Sequence, residues 1–197
     1  TYMKEGFTLS AEKPFITQMI KWGYGASGLR LYRTDKIFEN DPIVFTLPMN
    51  LAFYNGWIGR SFQIKQNNEK NSQIVLSAGF YNRTFYQRPM PSPGENQFFA
   101  NSSFCLAGIS FSQRKFIQDQ HVYSYGVTED IPEGFKNEIV YGYDFNEFGN
   151  RHYAHLYLSN GNILNGSNSY LYLAGAIGGY FKEMNFGQGQ IQGDLNF

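Results

Sequence analysis

The stretch Gly187-Gln188-Gly189-Gln190-Ile191-Gln192-Gly193-Asp194-Leu195-Asn196-Phe197 alternates without a break. Glycine and apolar residues take the odd positions, and amides with one acid take the even ones. Side chains of an extended chain point alternately to opposite faces, so this pattern makes a strand with one wet side. The preceding stretch, 169–181, behaves the same way. Leu171, Leu173, Ile177 and Phe181 share one face, while Tyr170, Tyr172, Ala174, Ala176, Gly178 and Tyr180 share the other.

Period two continues through most of the chain. Further strands read at 6–13, 16–24, 27–33, 43–53, 57–65, 73–86, 103–114, 121–128, 136–145 and 151–159. The one stretch worth testing as a helix, 12–22, contains Pro14 and keeps no consistent apolar face. The strands are commonly about 9–13 residues long, where a soluble strand is about 5–6 and a tilted membrane strand about 9–11. Turn signals separate them: Tyr54-Asn55-Gly56, Asn67-Asn68-Glu69, the proline-rich 89–94, Asp130-Ile131-Pro132-Glu133-Gly134, and the Asn-rich 160–168. No linker or fixed-period repeat divides the chain, so 1–197 reads as a single domain.

Composition points the same way. Aromatic residues number 36 of 197, against 32 for leucine, isoleucine and valine together, and aromatics favour pleated surfaces. Sixteen basic residues balance sixteen acidic ones, so no net field recruits nucleic acid, and no nucleic-acid partner is expected. Cys105 is the single cysteine and has no partner for a disulfide or a structural zinc site. No run of eighteen apolar residues exists for a membrane helix. A closed barrel needs none, and a mean hydropathy of -0.40 is compatible with one. A chain opening on Thr1, with no charged start and apolar run behind it, is expected to be a mature product or an excised segment.

Candidate chemistry is sparse. His152 and His155 stand three apart on a strand and so face opposite ways, and His121 is remote; neither metal nor cofactor is expected. The run His155-Leu156-Tyr157-Leu158-Ser159-Asn160-Gly161 resembles the His-x-Ser-Asn-Gly run of the outer-membrane phospholipase, with a gap of four residues in place of two. On a strand that gap is roughly 13 Å, too far for the imidazole to take the serine proton. Glu129, Asp130, Glu133 and Glu138 read as a solvated acidic turn with too few alternating donors for calcium. Gly23-Tyr24-Gly25 and 175–179 lack the strand, turn and helix context of a phosphate cradle.

Trp22, Trp57, Tyr86, Tyr153 and Tyr180 fall near strand ends, where an aromatic girdle would sit. Arg60, Arg83, Arg114 and Arg151 are the expected lumen or rim charges.

Four runs carry a family resemblance: Trp57-Ile-Gly-Arg-Ser-Phe62, Gly108-Ile-Ser-Phe-Ser-Gln-Arg-Lys115, Tyr125-Gly-Val-Thr-Glu-Asp-Ile-Pro-Glu-Gly134 and Asn146-Glu-Phe-Gly-Asn-Arg-His-Tyr153. Together they resemble the barrel region of Gram-negative outer-membrane proteins of the BamA/TamA surface-antigen family. The family's Arg-Gly-Phe or Arg-Gly-Tyr tip and its periplasmic POTRA pattern are absent, so no functional residue carries over.

The expectation is an all-β, antiparallel up-and-down transmembrane β-barrel, or an incomplete barrel segment, of about ten to twelve strands. It would be non-enzymatic and sit in a bacterial outer membrane. Its partners would be the lipid bilayer and either other segments of a longer chain or outer-membrane proteins that complete the sheet. The alternatives are a soluble β-sandwich binding glycans through exposed Tyr and Trp, and an outer-membrane lipid esterase using Ser159.

Overall fold

The computed structural model describes residues 4–15, 20–38, 43–64, 71–90, 99–120, 128–164, 169–182 and 185–196. They form one antiparallel sheet of nine strands in chain order. The strands are β1 (Lys4–Lys13), β2 (Trp22–Phe38), β3 (Ile43–Ile64), β4 (Asn71–Gln87), β5 (Ser102–Gln120), β6 (Thr128–Asn146), β7 (Arg151–Ile163), β8 (Tyr170–Lys182) and β9 (Asn185–Asn196). Each pairs with its neighbours in sequence, an up-and-down meander whose outer strands, β1 and β9, leave the sheet unclosed. There is one layer, which corrects the β-sandwich alternative.

Nine strands among the described residues replace the expected ten to twelve, because the described part of 16–24 runs on into 27–33 as β2 and two turn signals lie inside strands. Tyr54-Asn55-Gly56 stays extended within the 22 residues of β3, where Asn55 faces Ser27 on β2 and Tyr81 on β4 and donates to the Ser27 hydroxyl at 2.7 Å. The stretch 130–134 belongs to β6. Pro132 pairs with Phe116 of β5, but β7 joins β6 only from Gly134 onward, so no second ladder asks this position for the N–H that proline lacks. Pro48 is placed likewise: it pairs with Thr34 of β2, while β4 joins β3 only from Asn50. Both prolines thus ride on two-stranded extensions, β2–β3 at one end of the sheet and β5–β6 at the other.

Burial separates the two faces. Along β7 the even residues are exposed and the odd ones half-buried, Gly161 fully so. Only five hydrophobic residues are buried among those described, Met49, Ala52, Phe85, Ala100 and Phe104, whereas 25 large hydrophobics are exposed. Among the described residues the large apolar side chains thus lie mostly outward, with little apolar centre between them.

Register shows which residues share the exposed face. Ile191 traces through Ile177, Leu156, Ile139, Ile109, Leu76 and Arg60 to Trp22 on β2, a level beyond the ladder of β1. The apolar residues Phe7, Leu9 and Ala11 of β1 lie on other levels of the same face. A stagger of this kind accompanies strands that tilt in a curved sheet. The sheet is indeed curled, since side chains of β4 and β9 line one cavity on its half-buried side. That side is concave and the exposed apolar side convex.

Candidate functional site

The concave face carries the polar groups. Asp144 of β6 is 3% exposed and accepts from Arg151 of β7, at 2.7 Å from Nη2 and 3.2 Å from Nε, and from the Ser102 hydroxyl of β5. A buried carboxylate persists only when paired and hydrogen-bonded, and both neighbours come from adjacent strands of the ladder. Further along, Lys136 pairs with Glu138 at 2.7 Å, and the Tyr157 and Tyr172 hydroxyls meet at 2.9 Å.

The expected arginines divide between faces. Arg83 donates to the Ala100 carbonyl at 3.2 Å, Arg114 lines a cavity of about 240 Å³ with Lys136, Tyr157 and Ser159, and Arg151 holds Asp144, all on the concave side. Arg60 lies on the convex side, its guanidinium 5.1 Å from the Trp22 ring and 4.9 Å from Phe62. The expected girdle divides too. Trp22 and Tyr86 are exposed on the convex face, but Trp57, Tyr153 and Tyr180 share registers with the concave row and point inward. These three therefore lie on the opposite face of the sheet from Trp22 and Tyr86.

His152 and His155 face opposite ways, as their spacing requires. His152 Nδ1 lies 2.6 Å from the Tyr141 hydroxyl on the convex side, and the His155 ring runs parallel to Tyr153 on the concave side. His121 and Asn165 lie outside the described residues, as do the side chains of Glu129 and Asp130. Ser159 shares the concave face with His155, but Tyr157 stands between them with its hydroxyl engaged by Tyr172. Among the described residues no three of His, Cys, Asp and Glu gather as a metal site would require.

One ion pair lies beyond the strand ends. Glu147, after β6, receives Arg88 in two-pronged fashion at 2.7 and 2.8 Å, together with the Asn101 amide at 3.1 Å. The Arg88 bond first, then that amide, hold its carboxyl below the usual carboxylate range. Arg88 also donates to the Phe99 carbonyl at 2.6 Å, fixing the described end of the β4–β5 connection beside the β6–β7 turn.

A concave cavity of about 580 Å³ lies between Tyr81, Phe104, Tyr153 and Tyr180 on one side and Gln188, Gln190 and Gln192 on the other. Its floor is glycine: a Cβ at Gly142 would press within 3.0 Å of Phe104 and Leu106 side-chain atoms, and one at Gly178 would lie 2.9 Å from His155. Sequence reasoning saw the amide row of β9 and missed the cavity. The signal was present in the register, which sets Gly142 and Gly178 directly opposite Tyr153 and His155.

No family model matches the chain, and no curated protein and no solved structure is significantly similar to it.

Proposed function

We propose that this chain forms the wall of a non-catalytic outer-membrane β-barrel, its convex face toward lipid and its concave face toward a polar lumen. One observation carries the reading: the convex face has an apolar belt bounded by polar residues at both margins. On β4, Ile74, Leu76, Ala78 and Phe80 lie between Ser72 and Asn82; on β5, Cys105, Ala107, Ile109 and Phe111 lie between Ser103 and Gln113. The margins bond to one another, Gln113 to Ser72 at 3.0 Å and Asn82 to Ser103 at 2.7 Å. Ten residues from Ser72 to Asn82 rise about 33 Å, or about 25 Å at a barrel tilt near 40°, close to the height of a membrane-barrel belt.

Lipid offers no partner to the open ladders of β1 and β9, so further strands, from elsewhere in a longer chain or from a partner protein, complete the wall. The resemblance to BamA/TamA barrels extends the reading to a part in assembly or translocation at the outer membrane.

Cys105, exposed in the convex belt, is a built-in reporter. The chain, refolded in a polyoxyethylene detergent and moved into phospholipid vesicles, is treated with a charged maleimide. The thiol is expected to resist until the protein is denatured, and the unboiled protein to migrate differently from the boiled one. A chain that is monodisperse and cooperatively folded in plain buffer, with Cys105 labelling freely, overturns the proposal.

A further inference from the structure

The 580 Å³ cavity on the concave face falls in the range of small-molecule sites, about 300–1,000 Å³. Its chemistry is narrow. Of the nearby charges, Asp144 and Arg151 neutralise each other, with another Arg151 nitrogen spent on the Gln188 side-chain amide oxygen at 3.1 Å, and the Asp194 carboxylate accepts from the Gln192 amide at 3.3 Å. What remains toward the cavity is four aromatic rings, the His155 imidazole, and amides. The Gln190 amide and the Tyr153 and Tyr180 hydroxyls have no hydrogen-bond partner among the described residues. The rings cluster through contacts that leave their arrangement fixed: Phe104 meets Tyr81 and Tyr153 edge-on at 5.4 and 5.6 Å, and Tyr153 meets Tyr180 at 5.0 Å.

A ligand suited to this lining has C–H-rich faces to lay on the rings, hydroxyls at its edge to exchange bonds with side-chain amides, and no negative charge, since Arg151 is already spent on Asp144 and Asp194 would repel an anion. A pyranose sugar has all three properties. An anionic headgroup finds its nearest cation, Arg151, already paired, and an aliphatic chain would strand the amides without partners.

We propose that this cavity binds a neutral oligosaccharide, with Tyr153 and Tyr180 as the stacking surface and Gln190 and Gln192 as the hydroxyl-reading edge. The inference rests on the concave face being the lumen side of the wall proposed above.

The experiment is calorimetric titration of the refolded chain in a polyoxyethylene detergent, chosen because it has no sugar headgroup. Maltohexaose and cellohexaose are the probes, with trigalacturonate as the anionic comparison. At least one neutral hexasaccharide is expected to bind, and trigalacturonate more weakly or not at all. Tyr153→Ala is expected to weaken binding about tenfold, from the lost stacking surface. Gln190→Ala, on the exposed edge strand where folding is least at risk, is expected to weaken it about fivefold. Absence of binding to both hexasaccharides at millimolar concentration overturns the proposal, as do tighter binding of trigalacturonate and unchanged affinity in Gln190→Ala. Heat-dependent migration of the same samples keeps the two proposals apart. Protein that migrates as a folded barrel but binds no sugar removes only this one, and protein that binds sugar while folding in plain buffer removes only the membrane reading.

Discussion

At Gly134 the backbone runs with φ of +146°, and a Cβ there would collide with the Gln113 carbonyl of the neighbouring strand. Any other residue at this point of β6 meets both strain and a clash, so Gly134→Ala is expected to destabilise the refolded protein by about 1–3 kcal/mol or more in urea titration. Gly193→Ala, where nothing lies within 4 Å of the added carbon, is expected to change stability by less than about 0.5 kcal/mol. Glu147 offers a different kind of test. Its carboxyl is depressed in the folded protein, so its contribution is present above the unfolded carboxylate range and is lost as pH falls through the lowered value. In Arg88→Ala the Glu147 carboxyl carbon is expected to titrate at higher pH by NMR than in the parent. An unmoved titration would assign the depression to the Asn101 amide instead. Single-residue reading of the sequence was weakest at the aromatics. Period two put Tyr153 and Tyr180 on opposite faces from Leu156 and Ile177, but large rings occur on both faces of this sheet, and a ring by itself does not declare which face meets lipid.

Individual strands test the two-faced reading most directly. Leu156, central on the convex side of β7, and Ala174, on the concave side of β8 opposite Asp194, lie on adjacent strands but on opposite faces of the sheet. Leu156→Arg is expected to cost about 2–4 kcal/mol of folding stability in vesicles, the penalty of a cation near the middle of the belt. Ala174→Arg, beside an acidic neighbour on the wet side, is expected to cost far less; equal losses in the two variants would dissolve the distinction between faces. Strand existence was legible because alternation is a local property of the chain, but length was not, since β2 to β6 run 17–22 residues. Nor were strand ends. Asn55-Gly56 and Pro132-Glu133-Gly134 carry the chemistry of turns, and only their neighbours on adjacent strands keep them extended, through the Asn55–Ser27 bond and the one-sided pairing of Pro132. Such constraints come from residues more than ten positions away, which a local pattern does not encode.

At the scale of the whole molecule, the sequence conveyed an all-β meander but not its layering, since a sandwich and a curled single sheet share the same alternation. Exposure decided it: 25 large hydrophobics outside and five buried among the described residues leave no room for a second layer. The cavity was beyond sequence reach for a related reason, being made where six consecutive strands bend toward one another. The odd number of strands has a further result. In an antiparallel meander of nine, β1 and β9 travel in the same direction. Two molecules inserted the same way up therefore cannot zip first strand to last except in the parallel sense, and one molecule cannot seal itself by the ladder used everywhere else in it. Copies carrying Ser10→Cys and copies carrying Gln192→Cys, mixed in one bilayer, are accordingly expected to give no disulfide between those edges. Whatever seam-filler arrives must travel counter to both borders, so orientation alone screens its own twin from among the applicants.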